Sequence, residues 1–250
     1  MKKNILLVVL TVLLLGSIAL NVVFFRRGQQ YYLLLNAVKL DPIGLDWYES
    51  SDLPSDTNQQ RVVFFGDSRA YSWPAITELD TYQLVNRGIG NETTAQALER
   101  FDAHVAPLNP DIVVVQVGIN DLKTIPLFPE QKASITADCK ANIAAIVAKA
   151  SDLEAQVVVT TIFPLGRVPL ERRLFWSSDV AETIDEVNAY ILTLAEERVV
   201  VFDTSIVLAN ERDVVQKAYS QDLLHLTPEG YTALNEKLLP ILKNLQKGQH

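Results

Sequence analysis

The sequence is poor in the residues that build covalent or metal-held scaffolds. Its 250 residues include one cysteine, Cys139, and three histidines, His104, His225 and His250. A single thiol cannot form an intrachain disulfide, and Cys139 has no Cys or His neighbour at metal-ligand spacing. It lies in a helix-like stretch and reads as packing. Basic charge is scarce as well. The formal net charge is −8, and the first 27 residues hold four basic side chains (Lys2, Lys3, Arg26, Arg27) and no acid, so the remainder carries −12. A domain that acidic lacks the electrostatic footprint of a nucleic-acid binder, and no such partner is expected. There is no internal repeat and no low-complexity tract.

One long apolar run is present. Residues 5–25, "ILLVVLTVLLLGSIALNVVFF", contain Asn21 as their only strongly polar side chain. At 1.5 Å per residue such a run covers roughly the 30 Å hydrocarbon core of a bilayer. A cleaved signal has an apolar region of about 7–15 residues and a small-x-small site. This run is longer and ends in Phe24, Phe25, Arg26 and Arg27. The expectation is a single-pass anchor over residues 1–27 at the cell membrane, with signal cleavage and secretion as the alternative. Lys2 and Lys3 nearly balance Arg26 and Arg27, so the N-terminal amine tips the orientation toward an extracytoplasmic domain. Residues 28–60 read as linker: "YYLLLNAVKL" can continue the anchor helix, whereas "DPIGLDWYESSDLPSDTNQQ" is punctuated by turn residues.

From residue 61 to 246 the pattern alternates. β-Branched runs at 61–65, 82–86, 111–117, 156–163 and 198–202 suit strands buried on both faces of a parallel sheet. Helical patterns lie between them at about 69–79, 93–106, 131–151 and 179–197. A last helix begins at Thr227 and Pro228, and Pro240 is expected to kink or interrupt it. Repeated βα units of this kind predict an α/β domain of three layers with a five-stranded parallel sheet.

In such a sheet the chemistry gathers in the loops after the carboxyl ends of the strands. The first loop reads "GDSRAYSW": Gly66 permits a tight turn and puts Ser68 near a helix start, where backbone N–H groups favour negative charge. Capping of that helix is the plainer role for Ser68. The second, "NRGIGNETT", carries Gly88 and Gly90; it does not complete G-x-G-x-x-G, and Thr93 or Thr94 suits the next helix cap. The third, "VGIND", offers the Asn120 amide to a developing negative oxygen, or an Asx turn. The last, "DLLHLTPEGY", sets Asp222 three residues before His225. A carboxylate there can hold one imidazole N–H and leave the other nitrogen free as a base. His250 is the last residue, and His104 reads as a structural or surface histidine beside Phe101 and Val105.

The order GDS, glycine turn, G-x-N-D and D-x-x-H resembles the SGNH hydrolase superfamily, in its flavodoxin-like branch of GDSL esterases and lipases. The resemblance covers roughly residues 61–245. It implies Ser68 as nucleophile, His225 as general base and Asp222 as its orienting partner. It also implies an oxyanion hole made from the Ser68 N–H, the N–H of Gly90 or Asn91, and the Asn120 side chain. The family's glycine in "GIGGDTT" falls here on Asn91, which keeps the N–H and tolerates positive φ. No cofactor or metal is implied, and a monomer is expected. The reaction implied is hydrolysis of a small, lipid-borne or glycan-borne ester through an acyl-serine. Transfer of the acyl group to a glycan would use the same residues, and a non-catalytic ligand-binding module is the reading outside enzymes. The long loop "PLGRVPLERRLFWSSD" puts Arg167, Arg172, Arg173, Phe175 and Trp176 near the cleft mouth, as a lid or rim whose arginines meet anionic head groups, or as a solvated loop with tucked aromatics.

Overall fold

The computed structural model describes residues 2–48, 59–76 and 82–247. The chain forms two compact units, residues 1–44 and 45–250. The first is one helix, α1 (Lys2–Leu40), with no buried side chain. Its mean hydropathy reaches 2.7, so by length and composition it is able to cross a membrane or serve as a signal anchor. The helix runs past the apolar stretch to Leu40, because no breaker intervenes before Pro42. Residues 49–58 of the expected linker lie outside the described residues. Residues 45–48 pack within the second unit, where the Tyr48 hydroxyl donates to Gly88 O at 2.6 Å.

In the second unit each β-branched run forms a strand: β1 (Gln60–Gly66), β2 (Tyr82–Gly88), β3 (Ile112–Gln116), β4 (Gln156–Thr160) and β5 (Val199–Phe202). All pairings are parallel and the order is β2-β1-β3-β4-β5. Alternate residues supply two cores, which is why the runs show no polar face. Val63, Phe65, Val113, Val115 and Val157 face one core, shared with α3 (Thr94–His104), α5 (Lys132–Asp152) and α6 (Asp179–Leu192). Val62, Phe64, Val114 and Val158 face the other, against Leu234, Leu238 and Leu242 of the last helix, Pro228–Lys247. That helix continues through Pro240, so the proline does not interrupt it. The expected three-layer α/β/α fold is the observed one.

Three elements are shorter than their sequence patterns. The first helix of this unit, α2 (Ser68–Tyr71), is a single turn, and Trp73, before Pro74, is no longer helical. Residues 77–81 of the expected helix lie outside the described residues. β4 ends at Thr160 because the Asn188 side chain takes over the ladder, accepting from Ile162 N at 2.7 Å and donating to Ile162 O at 3.0 Å. α6 ends at Leu192 with Thr193 as its cap rather than reaching 197. Between α3 and α5 lies one further turn that bears on the site, α4 (Ile119–Leu122).

β1 and β3 approach closely at the end that carries the site. Gly66 adopts φ +143°, and a Cβ added there would stand 1.8 Å from Gln116 O. Gly66→Ala is therefore expected to lower stability by at least about 2 kcal/mol, read from urea unfolding of the detergent-solubilised chain. Gly90→Ala, whose Cβ would meet nothing within 4 Å, should stay within about 0.5 kcal/mol of wild type. Superimposable curves for the two variants would contradict this packing.

Candidate active site

The short helix after β1 is capped by Asp67, whose Oδ1 accepts from Arg69 N at 2.8 Å. Ser68 is thus relieved of the capping role, and its Oγ points elsewhere: it stands 3.1 Å from His225 Nε2. The other imidazole nitrogen, Nδ1, lies 2.9 Å and 3.1 Å from the two carboxylate oxygens of Asp222. Asp222 Oδ1 also accepts from the backbone N–H groups of Leu224 (2.7 Å) and His225 (2.8 Å). Burial raises the Asp222 pKa, but the His225 ring and these two N–H groups outweigh it and hold the carboxyl below the usual range. An ionised Asp222 orients the ring with Nδ1 protonated and Nε2 free toward Ser68.

The loop after β2 closes on this centre. Ile89 N donates to Gly66 O at 2.9 Å, which draws the loop against the end of β1. Gly88 is required by contact: a Cβ there would lie 2.1 Å from Tyr71 N. The left-handed position of the loop is neither of its glycines but Asn91, at φ +63°. Asn120, in the first turn of α4, is buried and donates one amide N–H to Glu92 O at 2.8 Å. An amide carries two N–H bonds, so the second is available to an incoming oxygen. Asp121 beside it is structural, accepting from Thr94 N (2.9 Å) and Thr94 Oγ1 (2.6 Å) at the start of α3. Thr93 is that helix's N-cap.

Two buried cations, neither singled out in the sequence, support these groups. Arg69 is fully buried; its Nε donates to Leu224 O at 2.8 Å, one residue from His225. Arg100, also fully buried, forms a two-pronged pair with Glu92 and donates to Gly66 O at 3.2 Å. The signal for Arg100 was its place on the stripe Ala97, Arg100, Phe101, His104, all of which are buried. His104 is likewise structural, with Nδ1 3.4 Å from Arg100 Nη1. Burial pushes Glu92 up to about 7 against the pull of Arg100, and Asp67 up to about 6 against Arg69.

Among the described residues no group of three or more His, Cys, Asp or Glu could hold a metal ion. A cavity of about 740 Å³ opens next to the site, between α6 and the segment after β5, and includes none of Ser68, Asn120 or His225 in its lining.

A parallel sheet in this order carries a serine, a histidine and an aspartate joined by hydrogen bonds at its carboxyl edge. The sequence profile of the GDSL-like lipase/acylhydrolase family matches residues 59–233, and the chain belongs to that family. Solved structures agree on the fold. A Bacteroides fragilis protein assigned as an acylhydrolase is 26% identical with TM-score 0.60, covering 78% of this chain and 93% of its own. A GDSL-like lipase of Bacteroides thetaiotaomicron is 23% identical with TM-score 0.63, over 82% of this chain and 98% of its own. A catalytic mutant of an acetylxylan esterase of Geobacillus stearothermophilus is 19% identical with TM-score 0.58, over 72% and 93%. A comparison with curated protein sequences finds no match.

The Glu92–Arg100 pair makes a testable demand. Arg100→Met strands a buried carboxylate and should cost about 3–5 kcal/mol at neutral pH, whereas adding Glu92→Gln should recover much of it. The folded-state pKa of Glu92 is raised above the ordinary 4.5, so the folded variant binds a proton that the unfolded chain releases. Its stability deficit should therefore be largest above pH 7 and shrink as the pH falls toward 5. Urea unfolding across that range measures it; a pH-independent deficit would count against a buried charge.

Proposed function

We propose that this hydrolase is a serine esterase, and the observation that carries the reading is the hydrogen-bonded series Asp222–His225–Ser68 at 2.9 and 3.1 Å. His225 Nε2 takes the Ser68 proton as Oγ attacks an ester carbonyl. The tetrahedral oxygen receives the free Asn120 N–H together with backbone N–H groups of Ser68 and of Asn91 or Gly90. The imidazolium, steadied by Asp222, then hands its proton to the departing alcohol oxygen, leaving an acyl-serine. Water, deprotonated by the same nitrogen, attacks the acyl-serine and restores Ser68. The substrate in this reading is a small, lipid-borne or glycan-borne ester. The fold likeness to an acetylxylan esterase makes acetyl esters the first to try. α1 supports a chain held at a membrane, and the balance of flanking positive charge is what puts the second unit on the extracytoplasmic side in this reading.

Two assays on p-nitrophenyl esters from acetate to palmitate and one labelling experiment test it. Ser68→Ala should fold normally and lose turnover. Asn120→Ala should lower kcat by about 10²–10³ with little change in KM, the usual loss for one oxyanion donor. A fluorophosphonate probe, its fluoride displaced by Oγ, should leave a phosphonyl group on Ser68 of the wild type and on no residue of Ser68→Ala. Wild-type turnover in Ser68→Ala, or no adduct on the active protein, would overturn the mechanism.

A further inference from the structure

The segment between β4 and α6 is pinned at both ends and turned outward between them. Val168 and Trp176 pack against the core of the sheet, while Leu170, Leu174 and Phe175 are 74%, 86% and 71% exposed. Isolated exposed apolar side chains are ordinary. Three within six residues, interleaved with cations, are not. Arg167, Arg172 and Arg173 are exposed, and their guanidinium groups form no hydrogen bond or ion pair among the described residues. Glu171 is the only acid between residues 164 and 178, so this stretch is positive in a chain of net charge −8. The expected lid is thus divided: Trp176 is tucked in and Phe175 stands out.

The same chemistry continues on the neighbouring surface. The turn Ile125–Leu127 packs against α6, whose N-terminus ends the segment, and Leu127 and Phe128 are exposed there. Lys123 is held below the usual lysine range by burial and, to a smaller degree, by the nearby Arg172. Its Nζ lies 3.5 Å from Asn91 Oδ1. The basic, apolar face therefore borders the loop that carries Asn91.

We propose that residues 167–175 form an interfacial contact with an anionic lipid bilayer. Leu170, Leu174 and Phe175 enter the boundary between head groups and acyl chains, and Arg167, Arg172 and Arg173 meet the lipid phosphates. Unpartnered guanidinium groups suit phosphate oxygens, and amphipathic segments rich in arginine with Leu and Phe lie in that boundary. A negatively charged surface is complementary to this stretch and to little else on an acidic domain. α1, able to cross a membrane, belongs to the same chain and supplies such a surface at high local concentration. Contact there sets the Asn91 side of the site toward the bilayer. The inference does not need the esterase reading.

The test uses the full chain reconstituted in vesicles, with Leu174→Cys carrying an environment-sensitive fluorophore. Cys139 is buried and does not compete for the label. In vesicles containing phosphatidylglycerol the emission should shift to the blue and be quenched by brominated acyl chains, while the same label at Asp152→Cys should report water. Each arginine contributes about fivefold to partitioning onto such a surface. Changing all three to glutamine should therefore lower the ratio of inserted to water-exposed label by about 100-fold, with unchanged thermal unfolding. A water-like emission at position 174 in anionic vesicles would overturn the proposal. So would an equal shift in purely zwitterionic vesicles, or a shift in detergent that rises with protein concentration and so marks a second copy of the chain.

Discussion

A guanidinium without solvent contact fixes the distance on which the site depends. Ser68 and His225 are 157 residues apart, and hydrogen bonding between them at 3.1 Å requires two loops to be held in one place. Arg69, next to Ser68, does this from below: Nε donates to Leu224 O, Nη1 to Phe163 O at 3.4 Å, and the group lies 5.0 Å from the centre of the Phe163 ring. Its own carbonyl accepts from the Tyr231 hydroxyl at 2.9 Å, which ties the same turn to the last helix. The arrangement is costly as well as rigid. Burial lowers the Arg69 pKa and raises that of Asp67, and each charge pulls the other part of the way back. Asp67 Oδ2 and Arg69 Nη2 are buried without a hydrogen-bond partner. Buried charges seldom repay their desolvation; what Arg69 supplies is position.

The second buried cation frames the other side of the same serine. Arg100 lies over the Phe65 ring at 4.4 Å and bonds to Gly66 O, to which Ile89 N also donates. Its partner Glu92 belongs to the loop after β2 and holds the Asn120 amide through its backbone carbonyl. One ion pair thus locates the end of β1, the loop bearing Asn91 and the side chain of Asn120. The segment at 45–48 extends this frame: His104 Nε2 is 3.2 Å from Leu45 O, and Arg87 sits 4.5 Å from the centre of the Tyr48 ring.

The sheet and the four loops were legible because they rest on local signals. β-Branched runs between glycine-bearing turns mark strands buried on both faces, and the order of motifs put Ser68, Asn120, Asp222 and His225 at carboxyl ends. What stayed hidden was tertiary. Nothing near Arg69 in sequence says that its partners are the carbonyls of Phe163 and Leu224. A charged residue next to a serine reads as a wet turn until the last helix is laid against it. Boundaries failed for a related reason. Residues 161–163 are as apolar as a strand, but a side chain from α6, Asn188, takes the hydrogen bonds that a strand would have used. The glycine-to-asparagine change at 91 was readable as tolerated, and the backbone bears this out at φ +63°.

The two halves of the site differ in their access to water. The side chains of His225 and Asp222 are 36% and 53% exposed, whereas Asn120 is 3% exposed and Glu92, which braces it, is also buried. In the proposed reaction these halves have different tasks. Stabilising a developing oxyanion depends on fixed dipoles in a poorly screened place, where a donor need not reorganise when the charge appears. Proton transfer at His225 tolerates solvent, and release of an acyl-serine needs a water molecule on the side of Nε2. An open base beside a dry amide meets both demands at once.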